Sequence, residues 1–281
     1  MIAIAGIVVV LASVCLGYAL EGGAFGVLIQ PSEWLIIGGA ALGSLLIGST
    51  RNSLLLLVRG LPRVLSPARI GREEYLEVLG TLSRLLSKAR REGLMSIEAD
   101  IEHPQSSPAF TMSRRLSRDK EAVAFICDTF RVYLVTGEAQ EIELLMDIDI
   151  QAMHQQAASP GHNLGKLAES LPGLGIVAAV LGVVLTMGKI TQPPEVLGHS
   201  IGAALVGTFL GVLLCYGFIG PLATNLENQA MERQAFFSVI RSVIAGAARG
   251  ATPYIAVEYG RRAVPEALRP SFTDLESMLR G

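Results

Sequence analysis

Charge is scarce in this 281-residue chain. Only 17% of its residues are Asp, Glu, Lys or Arg, against about 25% in an ordinary soluble domain. The scarcity is concentrated: four apolar stretches, Met1–Leu20, Glu33–Thr50, Leu171–Gly188 and Ser200–Asn225, hold no acid or base in their middle. Cysteine is almost missing as well. Cys15, Cys127 and Cys215 show no CxxC spacing, which argues against a disulfide framework or a thiolate metal site. His103, His154, His162 and His199 show no ligand spacing either and read as surface or loop residues. No metal and no cofactor is expected, and no enzyme. An alternating strand pattern is missing throughout, as are internal repeats and low-complexity segments.

What is present is apolar length. Hydrophobic residues make up 51% of the chain, and a run of about 18 or more can cross a bilayer core as a helix. Helices suit lipid because they satisfy their own backbone N–H and C=O groups. The expected fold is therefore all-α and integral to the membrane, with four transmembrane helices. The first carries no Lys or Arg ahead of its apolar run and is too long for a signal-peptide core, so it reads as a retained helix.

The positive charges set the topology. Of 23 Lys and Arg, 15 lie between Arg51 and Lys166 and seven between Arg233 and Arg280; only Lys189 falls elsewhere. The positive-inside rule puts both polar segments in the cytoplasm and the N-terminus outside. Residues 1–50 then form spans one and two with a short outer loop, and 51–167 a helical cytoplasmic domain. Residues 168–225 form spans three and four, and 226–281 a cytoplasmic helix and tail.

Within the cytoplasmic part, Tyr75, Leu76, Leu79, Leu82, Leu85, Leu86 and Ala89 recur at helical spacing. They predict an amphipathic helix over 72–92, stopped by Gly93. A short helix over Ser96–Glu102 is expected next, then a loop over Gln105–Pro108. Helices over 119–135 and 138–158 follow, parted by Gly137. Glu227–Ala247 should continue span four, Gly250 and Pro253 should break it, and Phe272–Leu279 should form a short helix.

The last two spans look like the wall of an ion path. Gly175, Ala178, Ala179 and Gly182 line one side of span three, and Gly207-x-x-x-Gly211 does the same in span four. Small residues let membrane helices approach closely; Gly39-x-x-x-Gly43 in span two reads as a packing seam. Thr208, Val212 and Tyr216 share a face. A hydroxyl at that depth either bonds its own backbone or serves water or a passing ion. Pro221 should bend its helix. Pro172 is expected near a helix start, where proline costs little, or at a hinge near the membrane exit. Ion relays rest on ionisable side chains, and Glu21, Glu33 and Glu169 all read as interface residues. The carrier acid is thus missing, which points either to a partner chain or to a passive scaffold.

The motifs resemble those of the MotA family of bacterial flagellar stator subunits over nearly the whole length. They include Gly17-Tyr18 with Gly22-Gly23, Gln30 to Glu33, Ser170 to Val180, Val206 to Gly211, Tyr216 to Ala223, Ile255 to Arg261 and Arg269 to Phe272. The resemblance implies a bacterial inner-membrane protein and a MotB-like partner that supplies the carrier aspartate. It further implies five chains around two such partners, and torque delivered to the rotor protein FliG. It assigns Pro172 and Pro221 to torque generation, Thr208 to the pore face, and Arg90 and Glu98 to the FliG contact, with Arg91 a neighbouring alternative to Arg90. Sodium-type relatives place threonine where this chain has Ala179, and alanine offers no oxygen to a dehydrated sodium ion, so the transported ion is expected to be the proton. An ExbB/TolQ-like motor subunit is the competing reading. Those relatives usually have three spans, and the four-span layout argues against it.

Overall fold

The computed structural model describes residues 2–65 and 70–280. In chain order the helices are α1 (Ile2–Leu20), α2 (Phe25–Leu28), α3 (Pro31–Gly48), α4 (Arg51–Leu65), α5 (Arg72–Glu92), α6 (Glu98–Glu102) and α7 (Pro108–Thr111). They continue with α8 (Arg114–Arg118), α9 (Lys120–Thr136), α10 (Ala139–Met187), α11 (Pro194–Leu213), α12 (Gly220–Ala248), α13 (Pro253–Ala263) and α14 (Phe272–Arg280). No strand occurs among the described residues. Four helical stretches, in α1, α2–α3, α10 and α11–α12, are long and apolar enough to cross a membrane.

Two compact units divide the chain: described residues of 1–68 with 157–229, and of 69–156 with 230–281. Residues 51–65 and 157–167 thus belong with the apolar helices. In the first unit α1 has no buried residue and is apolar on every side; it touches α4 and the 214–219 turn, and the rest of its surface has the character of one that meets lipid or other chains. α3 opens with Pro31 at its first position, where the missing N–H has no intrahelical partner to lose. It buries Glu33, Ile37 and Ala41 on one face. α4, not anticipated from the sequence, is amphipathic, and its Leu57 and Val64 pack with Leu164, Ala223 and Leu226.

The long helix α10 corrects the reading of Pro172. Ala139–Met187 is one 49-residue helix with Pro160 and Pro172 inside it, so Pro172 lies in a helix interior, far from any helix start. It leaves the Ala168 carbonyl without its usual N–H, and an interior proline costs about 3 kcal/mol in an ordinary helix. The break expected near residue 158 is likewise not there. Pro221 is accommodated differently. Leu214–Ile219 forms a π-helical turn ahead of it, and the Gly220 N–H bonds the Cys215 carbonyl five residues back. A widened turn relieves the clash of a proline ring with the preceding turn.

α10 and α11 run against each other through small residues. A Cβ added at Gly175 would lie 2.7 Å from the Gly207 carbonyl, and one at Gly211 would lie 2.5 Å from the Leu171 carbonyl. Gly182 meets Ala204 in the same way, at 2.7 Å. Backbone touches backbone along this seam, so close contact supplies the association energy. Gly39 and Gly43, by contrast, face open space in this chain.

The second unit is a helical core in its own right. α5 buries Tyr75, Val78, Leu79, Leu82 and Leu85 against α9, the first turns of α10, the end of α12, and α13. Its start is capped by the Glu74 carboxylate, which accepts the Gly71 N–H at 2.8 Å, and it stops at Gly93, whose φ of 91° favours glycine. α9 ends at Gly137, in the left-handed region with φ 66°. Phe125 and Phe237 meet edge-on at 5.1 Å. Above Phe237, at 4.6 Å, sits the guanidinium of Arg233, which also pairs with Asp119. Burial alone would push the Asp119 carboxyl up, but Arg233 and the backbone N–H groups at the start of α9 outweigh it and hold the group low. The three helices expected over 72–92, 119–135 and Phe272–Leu279 are present, and α12 continues span four as anticipated. α13 was not anticipated.

Candidate functional site

Two sets of residues carry the functional reading, one in each unit. In the apolar unit, Thr208 lies half-buried beside the α10–α11 crossing, with its Cα 3.3 Å from the Cβ position of Gly175. Thr186 and Thr224 bond their own helices, donating to the Gly182 and Gly220 carbonyls at 2.8 and 3.2 Å. Thr208 makes no such bond among the described residues. Its hydroxyl is not committed to the backbone of its own helix. Val212 and Tyr216 continue the same face outward, 41% and 72% exposed, and Pro221 is exposed below them. Thr208, Val212 and Tyr216 include no carboxylate or basic side chain, and their face opens progressively from the half-buried Thr208 to the exposed Tyr216.

Ala179 sits differently. It is buried in the seam, with its backbone nitrogen 3.1 Å from the Cβ position of Gly207. Pro172 is half-buried and follows Leu171, whose carbonyl makes the tightest approach to α11, at Gly211. The candidate path residues thus divide into an open face on α11 and the turn that follows it, and a packed seam with α10.

One acid belongs to this set that the sequence reading placed at the membrane surface. Glu33 is only 6% exposed, and its Oε2 has no hydrogen-bond partner. A Cβ added at Gly207 would lie 2.4 Å from that oxygen. The signal was available in the helical spacing, because Glu33 is four and eight residues before the buried Ile37 and Ala41.

In the other unit, Arg90 lies in the last turn of α5 and Glu98 begins α6, both exposed. Neither forms an ion pair among the described residues, and nor does Arg91. Their neighbours are engaged. Lys88 donates to the buried Asp100 at 2.8 Å, and the Ser107 hydroxyl donates to the other oxygen at 2.7 Å. Burial pushes the Asp100 carboxyl up, but Lys88 and Ser107 prevail and hold it below the usual range. This pairing clamps α6 to α5 and fixes the spacing between Arg90 and Glu98. An unpaired charge of each sign on a rigid edge suits recognition of a charged protein surface.

Comparison with known proteins places the chain in a family. Residues 4–93 match the profile "Motility protein A N-terminal", and 118–237 match the MotA/TolQ/ExbB proton channel family. Motility protein A of Escherichia coli is 38% identical over 100% of this chain and 95% of its own length. Chemotaxis protein LafT of Vibrio parahaemolyticus is 32% identical over 98% and 96%. The fold is that of C. jejuni MotAB, with TM-score 0.80 at 21% identity over 96% of this chain and 98% of that one. The flagellar MotAB stator complex of Bacillus subtilis gives 0.74 at 23% identity over 91% and 92%. With full-length identity above a third to a motility protein A and both family segments in order, this chain belongs to the motility protein A family.

Proposed function

We infer that this chain is the ion-path subunit of a flagellar stator in the bacterial inner membrane, working with a MotB-like partner. In this reading, five copies surround two partner chains. The N-terminus faces the periplasm, and residues 69–156 and 230–281 face the cytoplasm. The partner's carrier aspartate runs along the open face of Thr208, Val212 and Tyr216. Ala179, Pro172 and Pro221 shape the close crossing and the distorted turns that must shift as the carrier changes charge. The transported ion is the proton, and each proton crossing 100 mV releases about 2.3 kcal/mol. The work leaves through Arg90 and Glu98 to the rotor protein FliG.

The observation that carries this reading is the partly exposed face on α11 and the turn after it. It bears a hydroxyl that is not bonded to its own helix and contains no titratable acid. A face of this kind fits a path whose carrier sits on another chain. The names of the relatives, which include MotAB stator complexes, support the same partner.

Motility rescue tests it. The chain is expressed with its native MotB-like partner in cells lacking their own stator, and swimming is expected. A complex that forms but leaves the cells immotile overturns the reading. Replacing sodium by potassium at fixed pH should leave swimming intact; lost swimming sinks the proton assignment.

A further inference from the structure

The sequence suggested a wall with no carrier of its own, but the fold places a carboxyl inside the α3–α10–α11 junction. Glu33 is more than nine-tenths buried with Oε2 unpartnered. The Cβ position of Gly207 lies 2.4 Å from Oε2, 3.0 Å from the Ala178 methyl and 3.1 Å from the Ala179 nitrogen, and that of Gly182 lies 3.8 Å from Oε1. The carboxyl therefore rests on the bare backbone of Gly207, next to Thr208.

No counter-charge faces it. α10 has no acid or base after Glu169, α11 has only Glu195 and His199, both in its first two turns, and Glu33 is the only charged residue of α3. A carboxylate buried with neither charge partner nor full hydrogen bonding is costly, and an ionisable residue within a membrane span marks an ion or proton pathway by default. The start of α3 favours negative charge, so the site suits a group that gains and loses a charge. The lining also chooses among cations. Metal cations take several oxygen ligands, while Gly182, Ala178 and Gly207 supply no side-chain oxygen and the nearby Thr186 hydroxyl is bonded to Gly182. A proton needs one oxygen.

We propose that Glu33 is a proton-binding station of this chain, lying on the route to the Thr208 face. An O–H bond forms at the carboxylate when a proton arrives through water. It breaks when the proton passes to a water or to a carboxylate of the partner chain beside Thr208, and no electrons change hands. The proposal rests on the proton-conducting reading given above.

The test uses the purified complex with its partner in proteoliposomes under an imposed pH gradient. Glu33→Gln keeps the shape and cannot titrate; Glu33→Asp keeps the carboxyl. Proton flux should fall on the order of a hundred-fold in E33Q, the low end for a positioned proton-transfer group. E33D should fall in between, with partner co-purification unchanged in both. E33Q flux equal to the parent overturns the proposal. If E33Q fails to assemble, infrared spectra of the unmodified complex carrying 13C-labelled glutamate decide. A shielded glutamic-acid carbonyl band that appears as the outer pH is lowered is expected, and its absence overturns the proposal. If the unmodified complex passes no protons, the functional reading fails, and the infrared band alone then decides for Glu33.

Discussion

Replacing Gly211 by alanine should loosen the crossing on which the candidate path is built. The new methyl would lie 2.5 Å from the Leu171 carbonyl and 2.9 Å from the Gly175 Cα, both backbone atoms that cannot rotate away. Ordinary contact begins at 3.4 Å, so α10 and α11 must separate locally by about 0.9 Å. A gap of that size forfeits roughly a quarter to a half of each contact's ~0.1–0.2 kcal/mol. Over a few tens of atom pairs the loss is about 1–2 kcal/mol, within the ~1–3 kcal/mol typical of overpacked interiors. The better helix propensity of alanine offsets about 0.8–1.0 kcal/mol. Thermal unfolding of the detergent-solubilised complex should show a net loss of about 0–1 kcal/mol for Gly211→Ala, with a larger loss for Gly211→Val. Weaker swimming should accompany it, because Pro172 and Thr208 flank the same crossing. A Gly211→Val protein as stable as the parent would refute the geometry, since no helix-propensity gain could mask a clash of that size.

Thr208→Val keeps the volume and removes the free hydroxyl; torque measured on tethered cells should drop several-fold while complex assembly is unchanged. Charge reversal at Glu98 should impair swimming and be partly restored by reversal on FliG, whereas no effect of reversing either Arg90 or Glu98 would remove the rotor contact. Glu258 gives a pH signature. Hydrogen bonding from Arg261, opposed by burial and aided by Arg262, holds its carboxyl at about 2 against an ordinary 4.5. Because the folded value is the lower one, its stabilisation is present above pH 4.5 and is lost as the pH falls towards 2. Glu258→Gln should destabilise the fold at neutral pH, seen as a lower melting temperature, and the gap to the parent should close on acidification.

Why some of this was legible in the sequence and some was not follows from the physics of single residues. The amphipathic α5 was readable because Tyr75, Leu79, Leu82 and Leu86 repeat at the helical period, and a periodic apolar face states its own burial. The α10–α11 crossing was readable because Gly175, Gly182, Gly207 and Gly211 have no other reason to line up in apolar helices. The continuity of α10 was not readable. Two prolines and a change of environment near residue 158 are each a local argument for stopping, and only packing on neighbouring helices, such as Pro160 on Gly60, overrides them. The burial of Glu33 was not readable for the opposite reason. Local rules place an acid in the first turn of a helix at the water interface, where the helix start favours it. Whether that turn is covered depends on how Gly207 and Gly182 meet it, and that is fixed by the register of two other helices distant in sequence. The glycines that made the seam predictable are therefore also what made room for the carboxyl that the sequence appeared to lack.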